Sequence, residues 1–275
     1  VTVNAKLRLG RIRYINVLPI YFALDRGHVE NGLEIVSGTP AELNARLARG
    51  ALDASAISSV EYARNFRDYL LVPDLSISTE GDVGSVLFFS RVPFHRLTGR
   101  EVRLSEASAT SAALIKILLY ELYGARPLYR STPVSAELPE GCYGLLAIGD
   151  EALKLRATGR YPFYLDLGRA WHGLTGLPFV FGVWAVRAAA HADRPQELKR
   201  LAQTLIQGKR WGLRQLEDIC RLAASQVELS REELLAYFSR LNYDLGPRQQ
   251  EGLLAFYRYL HRSGGLAEMP ELRFI

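Results

Sequence analysis

Cysteine is scarce in this chain: two residues in 275, Cys142 and Cys220, far apart and forming no CxxC pair. That excludes a disulfide framework and a cysteine-built zinc site. Long apolar runs are missing too. No stretch approaches the roughly 18 residues a membrane-spanning helix needs, so no membrane insertion is expected. The net charge is +5 and the pI about 9.2, yet the basic residues stand singly, as at Arg46, Arg49, Arg64 and Arg67. Nearly all are Arg, the lysines being Lys6, Lys116, Lys154, Lys199 and Lys209. Without a dense basic run or interleaved aromatics, nucleic acid is not the expected partner; a modest positive field suits a small anion. GxSxG, HExxH and Walker-type signatures are absent, and Gly144 to Gly149 is no GxGxxG. The histidines, His28, His95, His172, His191 and His261, have no metal-ligand spacing. Neither metal nor cofactor is therefore expected. The start shows no apolar signal core with a cleavage site, so a cytoplasmic protein is expected; Val1 stands where an initiator Met would, which leaves a trimmed N-terminus open.

What is present is a globular composition, 48% hydrophobic and 23% charged, on a length that suits two lobes. Leu7 to Ile15 alternates as an opening strand, and Pro19 enters a helix. Leu33 to Ser37 is a second strand. Thr39-Pro40-Ala41-Glu42 then has the cap, first-turn proline and capping-box carboxylate of a helix start. Ala51 to Ile57 returns as a strand, and Ser58-Ser59-Val60-Glu61 opens another helix. This βαβ rhythm predicts an α/β fold with parallel sheets. Beyond Arg194 the chain reads as helix to Gly264, with a second capping box at Ser230 to Glu233; Leu234, Leu235, Phe238 and Leu241 read as packing faces.

The most informative run is Asp166 to Trp184, a turn-rich polar loop leading into an apolar strand after Pro178. Gly84-Ser85-Val-Leu-Phe-Phe-Ser90 has a similar make-up. Two such strands, far apart in sequence, predict paired crossovers between two lobes with a ligand cleft between them. The expected lobes are 1–88 plus 182–275, and 89–181. Trp171, Trp184 and Phe179 would wall a planar ligand or pack the hinge.

In open α/β sheets ligands bind beyond the carboxyl ends of the strands. Those ends supply Asn16, Ser58, Ser59, Ser85, Thr110, Ser111 and the Gly149-Asp150 turn. Hydroxyls, amides and free helix amides suit a carboxylate; as single residues they also read as plain N-caps. Asp53 and Asp150 are possible bases, or caps of the turns that follow them.

With those residues in hand, the chain resembles the chorismate dehydratases, which open the futalosine route to menaquinone. The matching stretches are Gly10 to Pro19, Ser59 to Arg64, Gly84 to Ser90, Ser108 to Ser111, Ala147 to Asp150 and Asp166 to Trp184. Together they cover nearly the whole chain. The resemblance implies the two-lobed type II fold of periplasmic solute-binding proteins, in agreement with the crossover reading. A sister enzyme, 1,4-dihydroxy-6-naphthoate synthase, shares the Asp-Leu-Gly…Thr-Gly-Leu-Pro stretch. It is expected to carry a His-Glu pair where this chain reads Ile148-Gly149-Asp150, and a second proline soon after the one matching Pro178. Both departures favour the dehydratase. A non-catalytic small-anion binding protein is the remaining alternative, and it would normally carry a secretion signal or lipid anchor.

The implied activity is a hydro-lyase: chorismate, a dicarboxylate, loses water to give 3-[(1-carboxyvinyl)oxy]benzoate without a cofactor. The hydroxyl leaves from C4 and the hydrogen from C3, and aromatisation drives the step. The C3 hydrogen is vinylogous to the ring carboxylate, so donors aimed there stabilise the transition state. Ser85, Thr110 and Ser111 are the candidates, with Ser58, Ser59, Gly149 and Asp150 as further binding groups. Asn16, carried over from the family's Tyr-x-Asn segment, would orient the C4 hydroxyl or its proton partner. The substrate's own enolpyruvyl carboxylate is a plausible base, and lobe closure would guard against loss of the enolpyruvyl group.

Overall fold

Alternation of short apolar strands with amphipathic helices organises the chain from its first described residues. The computed structural model describes residues 6–29, 32–106, 108–132, 138 and 140–275, less the side chains of Thr132 and Asp150. The chain divides into two compact units: one holds residues up to Ile77, Gly182–Gly246 and Pro270–Ile275, the other Ser78–Phe181 and Pro247–Met269.

The first unit opens with β1 (Leu7–Ile12), α1 (Leu18–Asp25), β2 (Leu33–Gly38), α2 (Pro40–Ala48), β3 (Ala54–Ser58), α3 (Ser59–Arg64) and β4 (Tyr69–Thr79). The Thr39 to Glu42 capping box forms in full at the start of α2, as its spacing predicts. β1 pairs in parallel with β2 and β3. A 3₁₀ turn at Ile15–Val17 links β1 to α1, so the opening strand is shorter than its alternation predicts.

The second unit contributes β5 (Val86–Ser90), β6 (Glu101–Ser105), α4 (Ala109–Tyr123), β7 (Leu128–Thr132), β8 (Cys142–Ile148), α5 (Asp150–Ala157), β9 (Phe163–Asp166) and α6 (Leu167–Thr175). Its sheet runs β7-β6-β8-β5-β9, with β6 parallel to β7 and β8 and β5 antiparallel to β8 and β9. Two expectations change here. The stretch from Asp166 is a helix, not a polar loop, because Asp166 caps it through the Gly168 and Arg169 amides. The apolar strand Gly84 to Ser90 is no crossover: as β5 it lies between β8 and β9, while β4 carries the chain across the unit boundary after Ile77.

The strand after Pro178 does return the chain. β10 (Phe179–Arg187) pairs antiparallel with β3, completing the order β2-β1-β3-β10-β4. Then follow α7 (Ala188–Asp193), α8 (Pro195–Gly212), α9 (Leu216–Ala224), α10 (Arg231–Arg240) and α11 (Pro247–Arg262). Leu234 and Phe238 are buried with Phe22, Ile219 and Ala223, the packing face their spacing predicts. α11 joins the second unit, where Phe256 meets Trp171 and Phe179 edge-on.

Candidate active site

In the second unit, the strand directions bring four chain ends to one edge of the sheet. The carboxyl ends of β6 and β8 lie side by side, and the start of β5 lies beside them because Val86 pairs with Ile148. The end of β9 joins them, with Asp166 opposite Leu87. Each of β6, β8 and β9 leads into a helix, so the N-termini of α4, α5 and α6 gather around Ser85. Helix N-termini carry free amides and partial positive charge, which favour an anion; at α6 the Asp166 carboxylate already fills that place. Ser85, Thr110, Ser111 and Gly149 all lie at this edge, as expected for binding groups. The Asp150 side chain is outside the described residues.

The hydroxyls differ in how committed they are. Ser108 caps α4, accepting from the Ser111 amide at 3.1 Å, and its Oγ lies 3.0 Å from the Ser111 Oγ. Thr110 is buried and already engaged within the fold. Ser85 is a buried residue whose hydroxyl takes part in no side-chain hydrogen bond among the described residues, while its carbonyl accepts from the Gly149 amide at 2.7 Å. Gly149 can do this because its φ of 67° is open to glycine. Ser85 is the free donor of the set.

What holds Ser85 there is Asp166, which opens the Asp166 to Trp184 run and to which the sequence alone assigns no role. Its Oδ1 accepts from the amides of Val83 (3.1 Å), Gly168 (3.0 Å) and Arg169 (3.1 Å), and its Oδ2 from Gly84 at 2.7 Å. Arg169 pairs with Asp82 from the outside. Gly168 is obligatory for the approach, since a Cβ there would lie 2.4 Å from the Gly81 carbonyl. The Asp-Leu-Gly spelling is the one signal that could have found this clamp: an N-cap followed by a glycine where no cap needs one.

In the first unit, Asn16 sits in the 3₁₀ turn beyond β1, and Ser58 ends β3 beside it in the parallel sheet. The Asn16 Oδ1 is buried and has no hydrogen-bond partner among the described residues. A buried acceptor left unpaired costs about 1–3 kcal/mol, so this atom suits a ligand donor. The turn is fixed from behind. Tyr21 donates to the Gly10 carbonyl at 3.0 Å and accepts from the Trp184 indole at 3.2 Å. Burial pushes the Tyr21 hydroxyl up to about 12. Gly208 and Gly212 let α8 lie against the carbonyls of Ile20 and Pro19; a Cβ on Gly212 would stand 1.9 Å from the latter. Ser58 caps α3 by accepting from the Glu61 amide at 3.2 Å, and Ser59 is buried and engaged.

Other candidates fall away from these edges. Asp53 lies at the opposite end of β3, bound to the Arg8 amide at 2.8 Å and guanidinium at 3.2 Å, so it is a strand-start clamp and not a base. Trp171, Trp184 and Phe179 are buried core residues, in keeping with the packing alternative. His28 stacks on Trp211. Among the described residues no three His, Cys, Asp or Glu side chains gather as a metal site, and no helix is long and apolar enough to cross a membrane.

Residues 7–262 match the family model described as menaquinone biosynthesis. The chain belongs to this family. Among its relatives, the chorismate dehydratase of Thermus thermophilus is 34% identical over 263 residues, spanning 90% of this chain and 93% of its own. That of Campylobacter jejuni is 33% identical over 201 residues, 72% and 74% of the two chains. The fold of this menaquinone-biosynthesis protein is that of periplasmic solute-binding proteins. A crystal structure of an Archaeoglobus fulgidus protein matches with a TM-score of 0.76 at 18% identity, covering 95% of this chain and 98% of that one. The alkanesulfonate-binding protein of Xanthomonas axonopodis bound to MOPS matches at 0.70 and 12%, covering 98% and 97%. At these identities the likeness concerns the fold alone.

Proposed function

We propose that the protein is a chorismate dehydratase, a cytoplasmic hydro-lyase that converts chorismate to 3-[(1-carboxyvinyl)oxy]benzoate. The 34% identity with the Thermus thermophilus enzyme across 90% of this chain carries the reading. The anion-favouring edge around Ser85 supports it from the chemistry.

In the proposed step the C3–H bond breaks, its electron pair becomes the C3–C4 double bond, and the C4 hydroxyl leaves as water with a proton. Charge flows toward the ring carboxylate before the ring becomes aromatic. Ser85 donates to that carboxylate, and Thr110, Ser111 and Gly149 shape its surroundings with the free amides of α4 and α5. Asn16 accepts a hydrogen bond from the C4 hydroxyl through its unpaired Oδ1, which orients the leaving group. Ser58 and Ser59 line the turn beside Asn16. The enolpyruvyl carboxylate of the substrate itself receives the C3 proton and hands it to the departing C4 hydroxyl, which leaves as water.

The test is to incubate the purified protein with chorismate, adding no metal or cofactor, and to follow products by chromatography with mass detection. An aromatic product lighter than chorismate by one water is expected. Unchanged chorismate from folded protein would overturn the proposal.

A further inference from the structure

We infer that Asp166 is a positioning residue for this reaction, acting through Ser85; the inference rests on the dehydratase reading above. Capping α6 requires only the Gly168 and Arg169 amides, two and three residues away. The same carboxylate also accepts from Val83 and Gly84, 83 and 82 residues earlier in the chain. Those two amides immediately precede Ser85. Gly84 turns the chain with a φ of 74°, a left-handed conformation that leaves its amide free to face a side-chain acceptor. On the other side of Ser85, the Gly149 amide holds the Ser85 carbonyl. The backbone of Ser85 is thus fixed on both flanks while its hydroxyl stays unclaimed.

Further contacts seat the same loop. Arg169 clamps Asp82, the Thr79 hydroxyl donates to the Asp82 carbonyl at 3.0 Å, and Gly168 admits the Gly81 carbonyl where any Cβ would collide. A helix needs none of this to start. A donor that must meet developing charge does, because misplacement by about 1 Å can cost about a hundredfold in rate.

The division of labour between the two carboxylate oxygens supplies the test. In Asp166→Asn, the retained oxygen can keep Val83, Gly168 and Arg169, while the new amide group faces the Gly84 N–H as donor against donor. Asp166→Ser keeps a good N-cap but is too short for both loop amides. The measurements are kcat and KM for chorismate in both variants, in Ser85→Ala and in Ser85→Ala combined with each. Thermal midpoints and exchange of the Val83 and Gly84 amides are followed alongside. We expect kcat to fall about 10- to 100-fold with KM changed less than about threefold, and faster exchange at Gly84. In the Ser85→Ala background the further loss should shrink below about threefold, since residues acting as a unit are not additive. Wild-type kcat in folded variants, or losses that multiply fully with Ser85→Ala, would overturn the inference. Failure of both variants to fold would also overturn it, making Asp166 a folding element. A wild type that leaves chorismate unchanged removes the dehydratase reading and this inference with it, whereas an active wild type with indifferent Asp166 variants removes only the latter.

Discussion

Asn16 and Lys209 show two opposite ways a buried polar group can be treated. The Asn16 Oδ1 is left without a partner, at a cost to the fold. Asn16→Ala should therefore be at least as stable as wild type in urea while losing turnover about 100-fold or more. A destabilised variant with full activity would contradict the assignment. Lys209, by contrast, is 2% exposed, donates to the Asp74 carbonyl and the Asp244 carboxylate, and pairs with the Asp74 carboxylate at 3.1 Å. It holds Asp74 at a φ of 53°, the only positive value outside glycine among the described residues. Because both carboxylates are about half exposed, removing the ammonium leaves charges that water can reach. Lys209→Met is expected to lower stability by about 1–3 kcal/mol, nearer a lost charged hydrogen bond than a stranded buried ion. The check is a shifted urea midpoint at unchanged slope. Tyr21 is one of several tyrosines, with Tyr69, Tyr129 and Tyr243, whose hydroxyl pKa burial raises and which together set an alkaline limit. Its pKa is raised by burial to about 12 from an ordinary value near 10, so the unfolded chain loses its proton first. The stabilisation is intact below about pH 10 and is lost as pH rises toward 12, at up to about 1.4 kcal/mol per pH unit. Urea midpoints between about pH 9 and 11 should fall in wild type, and a flat profile would refute the cause assigned.

At the scale of elements, what could be read from the sequence depended on whether a segment's signal was local. The capping boxes of α2 and α10 and the βαβ order of the first unit are written in adjacent residues, and they form. β4 is not legible in that way: Pro73 and the left-handed Asp74 interrupt its alternation, and pairing partners elsewhere hold it. α6 hides because Gly168 and Gly173 depress its helical propensity, and the cap that starts it serves a distant loop. β5 has the apolar run of a buried strand, but nothing in that run tells a crossover from a sheet centre. The binding edge was half legible. Residues at strand ends could be named, yet Asp166, which holds the edge together, is recognisable only from partners more than eighty residues away. The α1–α8 contact makes an element-scale prediction. Gly212→Ala forces a methyl toward the Pro19 carbonyl, so the helices must part. A loss of about 1–3 kcal/mol is expected, measurable as a lower denaturant midpoint. Activity should decline too, because Pro19 follows the Asn16 turn by three residues.

At the scale of the whole molecule, neither unit is one continuous piece of chain. The second unit borrows α11, whose Gly252 lies so near Pro178 that a Cβ would stand 2.1 Å from its carbonyl. Phe256 closes over Trp171 and Phe179 at ring distances of 6.1 and 4.9 Å. A fragment of residues 78–181 should consequently bind a hydrophobic dye and lack near-ultraviolet dichroism, and a version with 247–269 joined to it should recover both native features. If the short fragment unfolds cooperatively on its own, α11 is dispensable to that core. The first unit has a similar debt at its edge strand. β4 is flanked on its outer side by residues 270–275, with Leu71 bonded to Arg273 and Ile275, and Tyr62 bonded to Glu271 across a separation of 209 residues. On the ribosome, at roughly 5–20 residues per second, that interval is about 10–40 s. For that long each nascent chain presents a bare strand edge, so neighbouring chains on one messenger are at risk of pairing through β4 before their own tails arrive.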